Sequence, residues 1–404
     1  MLAVEDARRR ILDALTPLGA ETVPVSAALG RVLAADVVAR LSQPPAAVSA
    51  MDGYAVRAAD VAHVPVTLRQ IGAIPAGATF AGQVGPGECA RIFTGAALPA
   101  GADAIVIQED TSADGTNITV REASPVGRYV RPAGLDFRAG DAALKAGELV
   151  TVRKLGLAAA MNHPWLRVTR RPRVAILATG DEVVMPGDPV GPGQIVSSNG
   201  LALGAFVQAW GGEPIQLGIA PDRIDALQQM VAAAEGADLL VTTGGASVGE
   251  HDLVRRALQD SGLSLDFWQI AMRPGKPLMF GRMGRTPVLG LPGNPVSSLV
   301  CSVVFLQPAL RRLSGATKVD APLERALAGA ALAANDRRQD YLRATLQRGE
   351  DGAPIATPFQ KQDSSMLRIL SEAHCLLVRA PNAPAAPAGA MVPIIRFDQS
   401  TIVT

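Results

Sequence analysis

"ADLLVTTGGASVGEHDLVRRALQD", Ala237 to Asp260, is the stretch on which the fold turns. The apolar run at its start reads as a buried strand, and "LVRRALQD" has the periodicity of a helix. Between them lies a loop rich in glycine. Strand, glycine loop and helix in succession form the repeating unit of a parallel α/β sheet. Such a loop presents backbone N–H groups and a helix N-terminus, which together bind anions such as phosphate.

The same pattern recurs on both sides. "RVAILATGDE" (173–182) is a strand run ending in Thr-Gly, and "GLALGAFVQAWGG" (200–212) reads as a helix stopped by glycine. "PIQLGIA" reads as a strand and "PDRIDALQQMVAAAEG" as a helix. "PVLGLPGNP" is a strand entering a Gly-Pro loop, and "PVSSLVCSVVFLQPALRRL" a long helix. This alternation predicts a doubly wound α/β domain over 173–315 with a mostly parallel sheet.

The flanks differ. Residues 1–46 read as helical, with apolar positions Val4, Ala7, Ile11, Leu12 and Leu15 at helical spacing and a second amphipathic piece at "SAALGRVLAADVVA". "LVTVRKLGLAAAMNH" resumes that pattern, and "HPWLRVTRRPR" is a basic connector. Short β-like runs between glycines fill the stretch from Tyr54 to about 128, and the chain is β-like again from Arg325 to Thr404. The expected fold class is therefore α/β multidomain, with four domains. They are an elongated helical domain from 1–46 and 129–172, a β-rich inserted domain at 47–128, the α/β domain at 173–315, and a β-barrel-like C-terminal domain at 316–404.

Composition narrows the function. The 404 residues carry 38 basic and 37 acidic side chains, a net charge of +1, so there is no electrostatic footprint for nucleic acid or an anionic membrane. Aromatics are only 4%, which argues against base-stacking platforms. Cys89, Cys301 and Cys375 are far apart and show no zinc spacing, which points to a reducing, cytoplasmic setting. The N-terminus lacks a signal-peptide core, and the apolar run "VCSVVFLQPAL" is too short to span a bilayer. A small-molecule substrate is expected.

In a parallel sheet the loops "ATGDE" (178–182), "TTGGASVGEHD" (242–252) and "GLPGNP" (290–295) share one edge, where open α/β sheets bind ligands. Each loop alone has an ordinary explanation as a tight turn. Asp252 and, better, Asp222 suit helix N-caps. Three such loops on one edge favour a phosphate-lined pocket. It is not a Walker A site, because Glu250 stands after Gly249 where lysine is needed. G-x-G-x-x-G is absent from these loops as well. A carboxylate beside a phosphate loop makes sense with a divalent cation between them, so Asp252 and then Glu182 are the expected Mg²⁺ ligands.

Cations lie elsewhere. "MRPGKP" holds Arg273 and Lys276, and its two prolines fix Lys276 in place. "DRRQDYLR" supplies Arg337, Arg338 and Arg343. These suit a tetrahedral oxyanion, although Arg343 reads more readily as exposed surface charge. Asp52 in "SAMDGYA" and Thr94-Gly95 in "RIFTGA" have credible roles as turn residues.

Seven motifs, in this order, form a familiar pattern: "SAMDGYAVRAAD", "RIFTGAALPAGADAIV", "VRPAGLDFRAGD", "ILATGDE", "TTGGASVGEHD", "MRPGKP" and "GLPGNPVSS". The chain resembles, over essentially its whole length, the molybdopterin molybdenumtransferases of the MoeA type, relatives of the C-terminal part of gephyrin. The resemblance implies insertion of molybdate into adenylylated molybdopterin, with release of AMP and Mg²⁺ as the metal. It implies a homodimer whose cleft joins the α/β domain of one subunit to the insert of the other. Transient contact with other enzymes of molybdenum-cofactor synthesis belongs to the same picture.

By matched position, Asp52, Thr94, Asp136, Glu182, Asp222 and Asp252 correspond to polar groups of the family's cleft. Gly180, Gly244, Gly245, Ser247 and Gly249 fall in the loops that bind pterin phosphate. Pro292, Gly293 and Pro295 fall in the Gly-Pro loop, and Lys276, Arg338 and Ser364 match the molybdate-holding groups. The chain departs from the family at Ala178, where Ser is common, at Arg273, where Lys is common, and before "SAMDG", where aromatic and polar residues are usual. No departure removes a carboxylate. The competing readings are a non-catalytic molybdopterin-binding scaffold and the upstream adenylyltransferase, which shares the "TTGG" loop but lacks the flanking domains.

Overall fold

In the computed structural model, residues 1–244 and 253–397 are described. The chain divides into two compact units. One comprises 1–35, 146–153 and 167–404, and the other 36–145 and 154–166.

Helix α1 (Val4–Asp13) buries Val4, Ala7 and Ile11, the face predicted from their spacing, against apolar residues of the α/β unit such as Leu310. No second helix follows. Gly30 has φ +74°, a left-handed turn that ends helical geometry, and Val32 and Leu33 instead bridge to Leu149 and Val168. The amphipathic spacing of 26–39 is therefore satisfied by short extended pieces, and only Val25–Ala27 forms a 3-10 turn.

The second unit is built on a six-stranded sheet. Its strands are β1 (Gly53–Val56), β2 (Val66–Ile74), β3 (Glu88–Ile92), β4 (Ala104–Ile107), β5 (Thr111–Asp114) and β6 (Asn117–Val120), in the order β4-β1-β3-β2-β6-β5. Tyr54, Val56, Leu68, Cys89, Val106 and Ile118 pack on one side, and Ala55, Ile74, Ala90, Ile92 and Ile105 on the other. Alternation along the strands explains both faces. Helix α2 (Val152–Ala160) forms where the helical pattern resumes, but Trp165–Thr169 of the expected connector is a strand.

The α/β domain contains β7 (Arg173–Thr179), α3 (Asn199–Ala209), β8 (Glu213–Ala220), α4 (Ile224–Ala232), β9 (Leu239–Thr243), α5 (Leu253–Asp260), β10 (Leu263–Phe267), β11 (Met279–Met283), β12 (Thr286–Leu291) and α6 (Pro295–Leu313). Sheet order is β8-β7-β9-β12-β11-β10. The first four strands are parallel; β11 and β10 add an antiparallel edge that short apolar runs did not announce. At 19 residues α6 is long and apolar enough to cross a membrane, but 78% of that apolar stretch is buried within the protein. Val296, Val300, Phe305 and Leu310 are each at most 1% exposed. At roughly 1.5–3 kcal/mol per buried side chain, that packing identifies a core helix.

The C-terminal strands are β13 (Glu324–Ala328), β14 (Gln339–Arg348), β15 (Pro354–Pro358), β16 (Cys375–Arg379) and β17 (Met391–Arg396), with the short helix α7 (Leu367–Glu372) before β16. They run β14-β15-β13-β17-β16, and β16 pairs back to β14, closing a five-stranded barrel. Closure removes free sheet edges.

Candidate functional site

From β7 the chain passes to β8 on one side and then returns to β9 on the other. The crevice between β7 and β9 is therefore a topological switch point, where such sheets bind ligands. Ala178 pairs with Thr243, and Thr243 with Leu291, so the three glycine loops do leave the sheet at one edge. Gly244 has φ +96°, and a Cβ there would lie 2.5 Å from the Thr179 carbonyl oxygen. Only glycine allows this approach of the two loops. Beside it the Thr179 hydroxyl is buried, with no partner among the described residues. Such a group costs about 1–3 kcal/mol until a ligand or water satisfies it.

The "GLPGNP" loop is held from two directions. Asn199, the first residue of α3, donates Nδ2 to Thr243 Oγ1 at 2.9 Å and to the Gly293 carbonyl at 2.7 Å. Thr243 Oγ1 in turn donates to the Pro292 carbonyl at 3.3 Å. Asn294 Nδ2 donates to Ser364 Oγ at 2.8 Å, and the Val296 N–H to the Ser364 carbonyl at 3.1 Å. Pro292, Gly293, Pro295 and Ser364 thus come together. Asn199 was not foreseen; its only signal was a polar residue opening a helix.

Carboxylates gather at the end of β7. The Asp222 N–H donates to Asp181 Oδ1 at 2.9 Å. Burial, and then the charges of Asp181 and Glu182, push the Asp222 carboxyl above its ordinary value. Asp222 is not the helix cap: Arg223 occupies that position and no side chain caps α4. A Cβ on Gly180 would lie 2.6 Å from a Glu182 carboxylate oxygen, so Glu182 turns back over its own loop. Gly245, Ser247, Gly249, Glu250 and Asp252 lie outside the described residues. Among the described residues no three His, Cys, Asp or Glu side chains are arranged to hold a metal ion.

The cations divide by their commitments. Arg338 donates Nη2 to Asp336 Oδ2 at 2.7 Å, and its hydrogen bonds hold the Asp336 carboxyl down at about 2. Arg273 bonds Asp340, and Asn335 at 3.2 Å. Among the described residues the Lys276 ammonium has no side-chain partner. Arg343 is not surface charge: it is 1% exposed. Its Nη2 donates to the Asp363 carbonyl at 2.9 Å, and its N–H to Gln362 Oε1 at 3.0 Å. Alternation along β14 places it on the face opposite Leu342 and Ala344, which pack in the barrel core, and its bonds anchor the loop that carries Ser364.

In the second unit, Asp52 Oδ1 accepts the Thr94 N–H and the Thr94 hydroxyl, both at 2.7 Å. These bonds, the backbone one first, hold the Asp52 carboxyl below its ordinary value, and Arg91 adds to the effect. Asp52 is therefore more than a turn residue. Gly53 follows it because β1 runs close between β3 and β4; a Cβ there would lie 2.0 Å from the Val106 carbonyl. Asp136 and Gly95 line one open groove of 560 Å³ with Pro44, Gly77 and Arg131.

Three family models match the chain: MoeA N-terminal region (domain I and II) over 2–162, a probable molybdopterin binding domain over 175–312, and MoeA C-terminal region (domain IV) over 325–397. A Mycobacterium tuberculosis protein named molybdopterin molybdenumtransferase 2 is 36% identical over 387 residues, 93% of this chain and 95% of that one. A Haemophilus influenzae molybdopterin molybdenumtransferase is 33% identical, covering 98% and 99%. A crystal structure of a molybdopterin biosynthesis MoeA protein from Pyrococcus horikoshii is 30% identical, with a TM-score of 0.83 over 98% of this chain and 99% of that one.

Proposed function

The chain belongs to the MoeA family of molybdopterin molybdenumtransferases, and from that premise we propose that it inserts molybdate into adenylylated molybdopterin with release of AMP. It is a transferase of molybdenum cofactor biosynthesis. The observation that carries the finer reading is the meeting of three glycine loops at the switch point, beside an orphan hydroxyl and converging carboxylates.

The residues take the following roles. Loop amides from Gly244, and those of Gly245, Ser247 and Gly249, bind the terminal phosphate of the pterin, beside Gly180, whose own N–H donates to the Ala220 carbonyl at 3.3 Å. The Thr179 hydroxyl donates to the same group, which removes its desolvation cost. Pro292, Gly293 and Pro295 form a rigid wall, clamped by Asn199. Lys276 supplies a charge with no side-chain partner among the described residues, and Ser364 a hydroxyl; both hold the molybdate dianion beside the dithiolene. Arg338 contributes while bonded to Asp336, and Arg343 fixes the Ser364 loop from the outer face of the barrel. Asp52, paired with Thr94, and Asp136 deliver protons so that oxo groups of molybdate leave as water.

We assign Mg²⁺ to the carboxylates at this edge. The charge on Asp222 is disfavoured by burial and then by Asp181 and Glu182, and a divalent cation beside it would offset both. Glu182 and Asp252 would hold it, and it would offset the charge of the phosphoanhydride. The same reading makes the protein a cytoplasmic homodimer that acts on small molecules. The test is molybdate-dependent release of AMP from adenylylated molybdopterin.

A further inference from the structure

The geometry points to Arg91 as a positioning residue that holds Asp52 and Thr94 in register, an inference that rests on the reading of Asp52 as a working group of the site. Arg91 is half-buried on β3, directly across the ladder from Tyr54 on β1. Its guanidinium reaches both chain segments that form the pair. On the Asp52 side, Nη1 donates to the Gly53 carbonyl at 3.0 Å. Nη2 donates to Gln108 Oε1 at 2.6 Å, and the Gln108 N–H donates to the carbonyl of Asp52 itself at 3.1 Å. On the Thr94 side, the guanidinium carbon lies 4.9 Å from the ring centroid of Phe93, the residue before Thr94. It lies 5.1 Å from the ring centroid of Tyr54.

One planar cation thus bonds the Gly53 carbonyl next to Asp52, holds the Gln108 side chain, and lies over the ring beside Thr94. Arginine suits this use, because its fork and its faces act at the same time; lysine offers a point charge alone. Both terminal nitrogens of Arg91 already donate to protein groups, so its part is to fix the carboxylate rather than to touch substrate. Oδ1 of Asp52 takes both Thr94 bonds, and Oδ2 has no hydrogen bond among the described residues. Holding the peptide on both sides of the pair aims that free oxygen.

Arg91→Gln and Arg91→Lys test this in the full chain, with Asp52→Asn in parallel. Two quantities are read: steady-state AMP release, and amide hydrogen exchange at Thr94, whose N–H is bonded to Asp52. In R91Q the Thr94 amide loses protection by about tenfold while Ala55 in β1 keeps its own, and kcat falls about tenfold with KM within about twofold. R91K restores part of both. Wild-type protection at Thr94, or wild-type kcat, in R91Q overturns the proposal. Wild-type turnover in D52N overturns instead the reading of Asp52, and the Thr94 exchange still reports whether Arg91 holds the pair.

Discussion

Asp52 Oδ1 accepts two hydrogen bonds from Thr94, one from its N–H and one from its hydroxyl, each at 2.7 Å. Both bonds favour the ionised carboxylate, so its folded pKa lies below the ordinary 3.8. The stabilisation is present above 3.8 and is lost as pH falls through the lower folded value. Thr94→Val removes the hydroxyl and leaves the N–H. The Asp52 midpoint then rises part of the way to 3.8, and the acid limb of turnover moves up with it. Carbon-detected carboxyl titration reads the midpoint directly.

Gly53→Ala tests the packing around that pair. The new methyl would sit 2.0 Å from the Val106 carbonyl, in backbone that cannot yield without breaking the β1–β4 ladder. We expect a loss of about 3 kcal/mol or more, read as an earlier denaturant midpoint for the insert. An unchanged midpoint would show that the strands separate more easily than their pairing implies.

Asp222→Asn separates stability from activity. The carboxyl is raised, so its charge opposes folding at neutral pH, and the penalty fades as pH falls through the raised value. The amide removes that penalty. Thermal midpoint at pH 7 should rise, while AMP release falls by about tenfold or more. A lower midpoint would contradict the assigned clash with Asp181 and Glu182.

Asn199→Asp replaces two donated bonds with an acceptor facing the Gly293 carbonyl and Thr243 Oγ1. Thr243 can rotate to donate, but the carbonyl cannot. The cost should be about 1–3 kcal/mol, and Asn199→Ala should cost less because it leaves space for water. Chemical denaturation of both variants checks the order.

Much of this was legible in the sequence, and the limits are physical. Long strand–loop–helix units such as 173–182 and 237–260 carry local signals, so the α/β core and its edge could be read directly. At 26–39 the periodicity pointed to a helix that Gly30 prevents, because bridges to Leu149 and Val168 outweigh local preference. Arg343 looked like surface charge because its partners, Gln362 and the Asp363 carbonyl, lie beyond any local pattern in the chain. Arg91 and Asn199 carry no motif signal of their own. Their partners lie 38 or more residues away in the chain for the bonds to Gly53, Thr243 and Gly293, and only folding brings them close.

The central claim is tested most directly by incubating the purified chain with adenylylated molybdopterin and Mg²⁺, with and without molybdate, and measuring AMP. The account predicts release that depends on molybdate and falls at least tenfold in Asp222→Asn. Release at the same rate without molybdate, or none in its presence, would contradict it.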